Sequence, residues 1–351
     1  MPTLEQVVNS ISALDKNAMQ VCQDRWNAIA HPLNSLGKME KMLIHIAGIT
    51  GNSQISIDKK ALVVFCADNG VVEEGVTQTG QEVTAIVSEN FLNEKCTAAI
   101  MCKSFGVSIY PIDIGIARDT ALPTQKIAYG TKNFTKERAM TIEDTKKAIQ
   151  IGIDTALLLK EKGYEIIATG EMGIGNTTTS AAIATVLLNE TAENLTGRGA
   201  GLSDEGLNKK INAIKKGIAL HNPNPNDAID VLSAVGGLDI AGLTGVFLGC
   251  AYAKIPVVID GVISSVAALC AKRICPQASA YMIPSHVSKE PCARLLLNAL
   301  ELEAGLQLDL CLGEGTGALL LFPILDCAVN VYTKMSSFEQ INIENYVPQE
   351  E

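Results

Sequence analysis

Basic and aromatic side chains are both scarce in this 351-residue chain: 28 Lys and Arg stand against 38 Asp and Glu, net −10, and aromatics make up 4%. A nucleic-acid surface needs a basic footprint, so no nucleic acid is expected as a partner, and an acidic membrane surface is disfavoured by the same charge. Apolar runs of membrane-spanning length, about 18 residues, are missing too. The most apolar region, 228–333, is cut by Asp239, Lys254, Asp260, Arg273 and Asp326, and reads as protein interior. The opening MPTLEQVVNSISALDKN carries acids where a signal peptide needs a basic start and an unbroken apolar core, which leaves a cytoplasmic location as the expectation.

Several chemical signatures are absent. The ten cysteines run from Cys22 to Cys327 without one CxxC pair, so free, mostly buried thiols in a reducing compartment are expected. His31, His45, His221 and His286 show neither HxH nor HExxH spacing, and no metal site is expected. No GxSxG elbow occurs. The GxG pairs lack a full GxGxxG with its ribose-binding acid, so hydrolase and dinucleotide readings fade.

What the chain does have is core: 47% hydrophobic residues and 19% charged ones place it outside disordered classes. From about residue 60, short apolar runs alternate with longer helical patterns, the signature of parallel βαβ units. Strands are expected at Ala61–Ala67, Val107–Ile112, Glu165–Thr169, Pro256–Asp260, Ala278–Ile283 and Leu308–Leu312. They end in Asp68-Asn69-Gly70, Asp113, Gly170-Glu171, Asp260-Gly261, Ser285-His286 and Gly313-Glu314-Gly315. In open parallel sheets ligands bind outside the carboxyl ends of the strands, so these segments should share one acidic, glycine-rich rim. The fold class is therefore α/β, a Rossmann-like parallel β-sheet flanked by helices, with a small helical domain at 1–60. The segment from about 318 to 351 is expected to complete that domain, and 61–317 to form the large catalytic one. Beyond Thr333 the chain turns polar, and Val347–Glu351 reads as a loose tail.

The strongest local signal is Gly170-Glu-Met-Gly-Ile-Gly-Asn-Thr-Thr-Thr-Ser180, between a strand and the helix expected at Ala181–Leu188. Glycine amides at a helix start make an anion nest. The segment matches GxxxxGK[ST] except that Asn176 replaces the lysine, which favours a monophosphate over a triphosphate and argues against an NTPase or kinase. The plainer alternative is a tight turn with an Asn/Thr cap. In the helix expected from Ser203, Leu207, Ile211, Ile214 and Ile218 form the apolar stripe; Lys210 lies at its edge, while Lys209 and Lys216 point away. Lys210 is then either a phosphate cation or a lysine whose stem covers core. Glu314, flanked by Gly313, Gly315 and Gly317 and by apolar runs, should be partly desolvated, with a pKa raised toward general-base use; a capping carboxylate is the alternative. Glu171 has the same setting.

Together these segments resemble the nicotinate-nucleotide:dimethylbenzimidazole phosphoribosyltransferases, which make the lower-ligand nucleotide of cobamides such as vitamin B12. The likeness runs through Asn34–Glu40, Ala67–Val71, Gln81–Thr84, Gly170–Thr178, Gly197–Leu202, Gly236–Asp239, Asp260-Gly261, Ser285-His286 with Glu290-Pro291, and Gly313–Gly317. It implies transfer of ribose 5-phosphate from nicotinate mononucleotide to a base, with inversion from β to α and release of nicotinate. It also implies a homodimer, or a heterodimer with a homologue, and no metal or redox cofactor. Glu314 matches the family's general base and Glu171 a second active-site carboxylate; Gly173, Asn176, Thr177 and Lys210 fall where phosphate and ribose are held. Asp260, Ser288, Gln81, Thr77 and Gln78 complete the expected substrate-binding set. One stretch departs: where the family commonly has a Ser-Ala-Tyr-Pro-like segment walling the base pocket, this chain has Thr77-Gln78-Thr79-Gly80. That departure opens the acceptor to a phenol, p-cresol or a purine besides dimethylbenzimidazole. The competing reading is a weakly active or non-catalytic partner subunit, against which the presence of Glu314, Glu171 and Lys210 speaks.

Overall fold

In the computed structural model, which describes residues 1–346, the apolar runs after residue 60 form five strands. They are β1 (Lys60–Ala67), β2 (Ser108–Gly115), β3 (Ile166–Met172), β4 (Val257–Ile259) and β5 (Met282–Pro284), all parallel in the order β2-β1-β3-β4-β5. Val347–Glu351, and with them the expected tail, lie outside the described residues. Strand β1 is buried along its whole length. Ala61, Val63, Phe65 and Ala67 enter one core and Leu62, Val64 and Cys66 the other, as alternation on a two-sided sheet requires. The chain leaves β1 toward β2 and then returns to β1's other edge as β3. This makes β1/β3 the topological switch point, where a ligand crevice opens beyond the strand ends.

On one face the helix Leu238–Ala253, apolar but for Asp239 and Thr244 along its buried length, packs against the helix Ile142–Glu161. Their backbones touch because both lack side chains at the crossing: a β-carbon on Gly249 would lie 2.9 Å from the Ile153 carbonyl oxygen. The other face is covered by Lys38–Thr50, Thr97–Phe105 and Thr316–Lys334. This last helix has the length and hydropathy of a membrane span, and half of that stretch is buried. Its Asp326 is held by Lys60 at 2.9 Å, and its Leu319, Phe322 and Leu325 share a core with Leu62 and Val64. The N-terminal helices Leu4–Ser10 and Lys16–Ala28 are capped by Thr3 and Asp15. Trp26 packs on Tyr332 at 5.2 Å and Ile29 bridges to Ser337, so the C-terminal segment lies against them.

Two expected strands are corrected. Leu308–Leu312 is not a strand: Leu308 and Leu312 are 49% and 57% exposed, and Asp309 adopts a left-handed φ of +53° that breaks extension. The alternation there has no second neighbour to bury against; only scattered bonds, such as Lys289 N–H to the Leu310 carbonyl, tie it to the 285–289 segment. Most of Ala278–Ile283 is instead the end of a 3₁₀ turn over Pro276–Tyr281, started by Pro276, with β5 following.

Candidate active site

A cavity of about 510 Å³ opens where the strand ends meet. Of the residues singled out from sequence, Glu314, Glu171, Gly173, Asn176, Thr177, Asp260, Ser288, Thr77 and Gln78 line it. Two do not. Gln81 sits at the start of the helix Glu82–Leu92 and donates to the Asn69 carbonyl at 3.3 Å, off the cavity wall. Lys210 lies behind the wall.

Strand β3 delivers Glu171 into the cavity, and the turn that follows is built on Gly175 at φ +93°, from which the helix Asn176–Leu188 starts. This helix begins earlier than the sequence suggested, so Asn176 is its first residue. The Asn176 carboxamide donates to two carboxylates, Glu171 Oε2 and, at 3.1 Å, Asp239 Oδ2. Asp239 was not singled out from sequence, where Gly236-Gly-Leu-Asp239 reads as a helix start. Its signal was an acid in the first turn of a helix with no other charge.

Lys210, in the helix Asp204–His221, is 1% exposed. Its Nζ donates to Thr177 Oγ1 at 2.9 Å and to the Gly197 carbonyl at 3.1 Å. It reaches the phosphate-nest segment from behind, without a carboxylate in ion-pair range among the described residues. Burial pulls its pKa down to about 8 against the opposing pull of Glu290.

Glu314 stands at φ +60° between Gly313 and Gly315, themselves at +91° and +88°. Three left-handed residues in a row press this loop onto β3, where a β-carbon on Gly170 would come within 2.7 Å of the Glu314 carbonyl oxygen. The Glu314 carboxylate is 9% exposed and accepts from the Ala98 N–H at 3.2 Å, in the first turn of Thr97–Phe105. The group is therefore desolvated, and it also caps a helix, although not its own. Burial raises its pKa, and the Ala98 N–H works against that rise.

At the end of β4, Asp260 caps the Thr316–Lys334 helix, accepting from the N–H groups of Gly315 (3.1 Å), Gly317 (2.7 Å) and Ala318 (3.1 Å). Burial still pushes it up to about 6, and Asp239 likewise; Glu171, buried and facing Asp239, is pushed up to about 8. The cavity thus gathers carboxylates that burial makes reluctant to ionise together, with one desolvated lysine behind the opposite wall. Such a field suits a ligand with a cationic centre and an anionic end. At the mouth, Gln78 donates to the Gly201 carbonyl and the Thr77 hydroxyl to the Thr79 carbonyl at 2.8 Å, so these polar groups tie loops together.

Known proteins resemble this chain in sequence and in fold. A phosphoribosyltransferase family model matches residues 11–343. A nicotinate-nucleotide–dimethylbenzimidazole phosphoribosyltransferase of Acetivibrio thermocellus is 47% identical over 349 residues, 99% of each chain. One of Ruminiclostridium cellulolyticum is 44% identical over 351 residues, covering 99% of this chain and 100% of its own. The crystal structure of the Thermus thermophilus protein of that name superposes with a TM-score of 0.88 at 32% identity, over 94% of this chain and 99% of the other. Sequence match along nearly the whole length and a shared parallel-sheet fold lead to one assignment: the chain belongs to the nicotinate-nucleotide–dimethylbenzimidazole phosphoribosyltransferase family.

Proposed function

We propose that the protein transfers the 5-phosphoribosyl group of nicotinate mononucleotide to an aromatic acceptor, giving an α-ribotide and nicotinate in cobamide lower-ligand synthesis. The observation that carries this reading is the convergence of Glu171 and Glu314 on one cavity whose wall, at Thr177, is backed by buried Lys210. The phosphate lies toward Gly173, Asn176 and Thr177, with Lys210 as its charge partner. The C1′–N bond breaks, nicotinate leaves with the bonding pair, and positive charge builds on C1′ facing the carboxylates. The acceptor nitrogen or oxygen attacks from the opposite face, inverting the anomeric carbon, and its proton passes to Glu314.

The acceptor lies toward Thr77 and Gln78, in a segment without the tyrosine of many relatives, and the proposal includes phenols beside dimethylbenzimidazole. The ten unpaired cysteines favour a reducing cytoplasm. A homodimer, or a heterodimer with a homologue, follows from the family likeness. The test is mass spectrometry of products from nicotinate mononucleotide with benzimidazoles, phenols and purines. Free nicotinate with a ribotide of any of these supports the proposal; intact nucleotide with every acceptor overturns it.

A further inference from the structure

The cavity wall also carries an imidazole that this mechanism does not use. His286 follows β5, is 5% exposed, and lines the cavity along with Asp260 and Ser288. One edge of its ring rests on the first turn of the Thr316–Lys334 helix, where a β-carbon on Gly317 would collide with Nδ1 and Cε1. Nδ1 lies 3.0 Å from the Ser285 hydroxyl, whose own proton goes to the Asp260 carbonyl at 3.3 Å. With the Ser285 proton placed on that carbonyl, Ser285 Oγ receives the Nδ1 proton and Nε2 keeps its lone pair. Nε2 has no hydrogen-bond partner among the described residues and is not sealed off by protein atoms.

The neighbouring Asp260 carboxylate is occupied by three backbone N–H groups. The acceptor left free beside it is His286 Nε2, which faces the cavity and is open to a donor on the ligand. On nicotinate mononucleotide the carboxylate accepts, the pyridinium ring has no N–H, and the phosphate is anionic. Only its ribose hydroxyls donate, and the N–H or O–H of the acceptor is directed to Glu314 in the mechanism above. We propose that His286 is a specificity residue that accepts a hydrogen bond from a ribose hydroxyl and so selects ribonucleotide over deoxyribonucleotide donors. The proposal rests on the phosphoribosyl-transfer reading above.

The experiment compares kcat/KM for nicotinate mononucleotide and its 2′-deoxy and 3′-deoxy analogues in the wild type, His286→Asn and His286→Gln. Asparagine keeps a donor to Ser285 and deletes the acceptor at Nε2; glutamine places a carboxamide oxygen near the Nε2 position. The wild type should prefer the ribonucleotide over one analogue by roughly three- to ten-fold beyond its preference in His286→Asn. His286→Gln should keep part of that factor. If His286→Asn lowers all three substrates equally, the ratio is unmoved and His286 is a packing residue, which overturns the proposal. If His286→Asn fails to fold by thermal melting, His286→Ala takes its place: a ratio reduced toward one supports the proposal, and a ratio equal to that of the wild type overturns it. Failure of the wild type to consume nicotinate mononucleotide at all sinks the reaction itself, an outcome distinct from turnover with an unmoved ratio.

Discussion

Asn176 Nδ2 lies 3.1 Å from Asp239 Oδ2 and also donates to Glu171, so a single carboxamide holds two buried carboxylates in fixed relation. Orientation and charge are both transmitted through it. The negative charge of Asp239 is the second cause, after burial, that lifts Glu171 to about 8.

Asp239→Asn keeps the shape and removes that charge. Taking away a negative neighbour favours the ionised form of Glu171, so its pKa falls. The acid limb of the pH–kcat profile should move to lower pH in the mutant. Stopped assays from the mildly acidic range through about 8, where Glu171 loses its proton in the wild type, would check this, and a limb that stays put would mean Asp239 does not act on Glu171.

Lys210→Ala should weaken nicotinate mononucleotide binding about ten- to hundred-fold, the scale of a charge-assisted hydrogen bond of roughly 1.5–3 kcal/mol, and leave acceptor affinity nearly unchanged. In the wild type, nucleotide affinity should fall as pH rises through about 8, where burial places the loss of the lysine's charge. Calorimetry at several pH values reads both effects. A mutant with unchanged affinity would make Lys210 a core-covering lysine only.

Gln78→Tyr places a ring where the cavity mouth now carries a carboxamide bonded to Gly201. Aromatic contacts contribute about 0.5–1.5 kcal/mol beyond area, so selectivity for dimethylbenzimidazole over p-cresol should rise roughly two- to twelve-fold in a competition assay. Exclusive use of dimethylbenzimidazole by both forms would show that this segment does not set acceptor choice.

How much of this was legible beforehand depended on whether one stretch of chain decided it. Strands β1 and β3 announce themselves because burial on both faces demands unbroken apolar residues. Lys210 was legible as an inward lysine because helical periodicity fixes its direction. Leu308–Leu312 misled because period-two alternation records potential burial and says nothing about a missing neighbour or the left-handed Asp309. Asp239 and His286 stood only within family-like stretches, and for a different reason no individual role could be read for either. One acquires meaning only through Asn176, 63 positions away in sequence, the other through the helix start at Gly317 that seats its ring.

Single-turnover kinetics of Glu314→Gln, paired with equilibrium binding of nicotinate mononucleotide, tests the central claim most directly. Glutamine keeps an oxygen for the Ala98 N–H and loses the carboxylate's charge and its ability to take a proton. The account predicts nucleotide affinity within about two-fold of wild type and a chemical step slowed by about 10²–10⁴-fold. A chemical step at the wild-type rate, with dimethylbenzimidazole or p-cresol as acceptor, would contradict it.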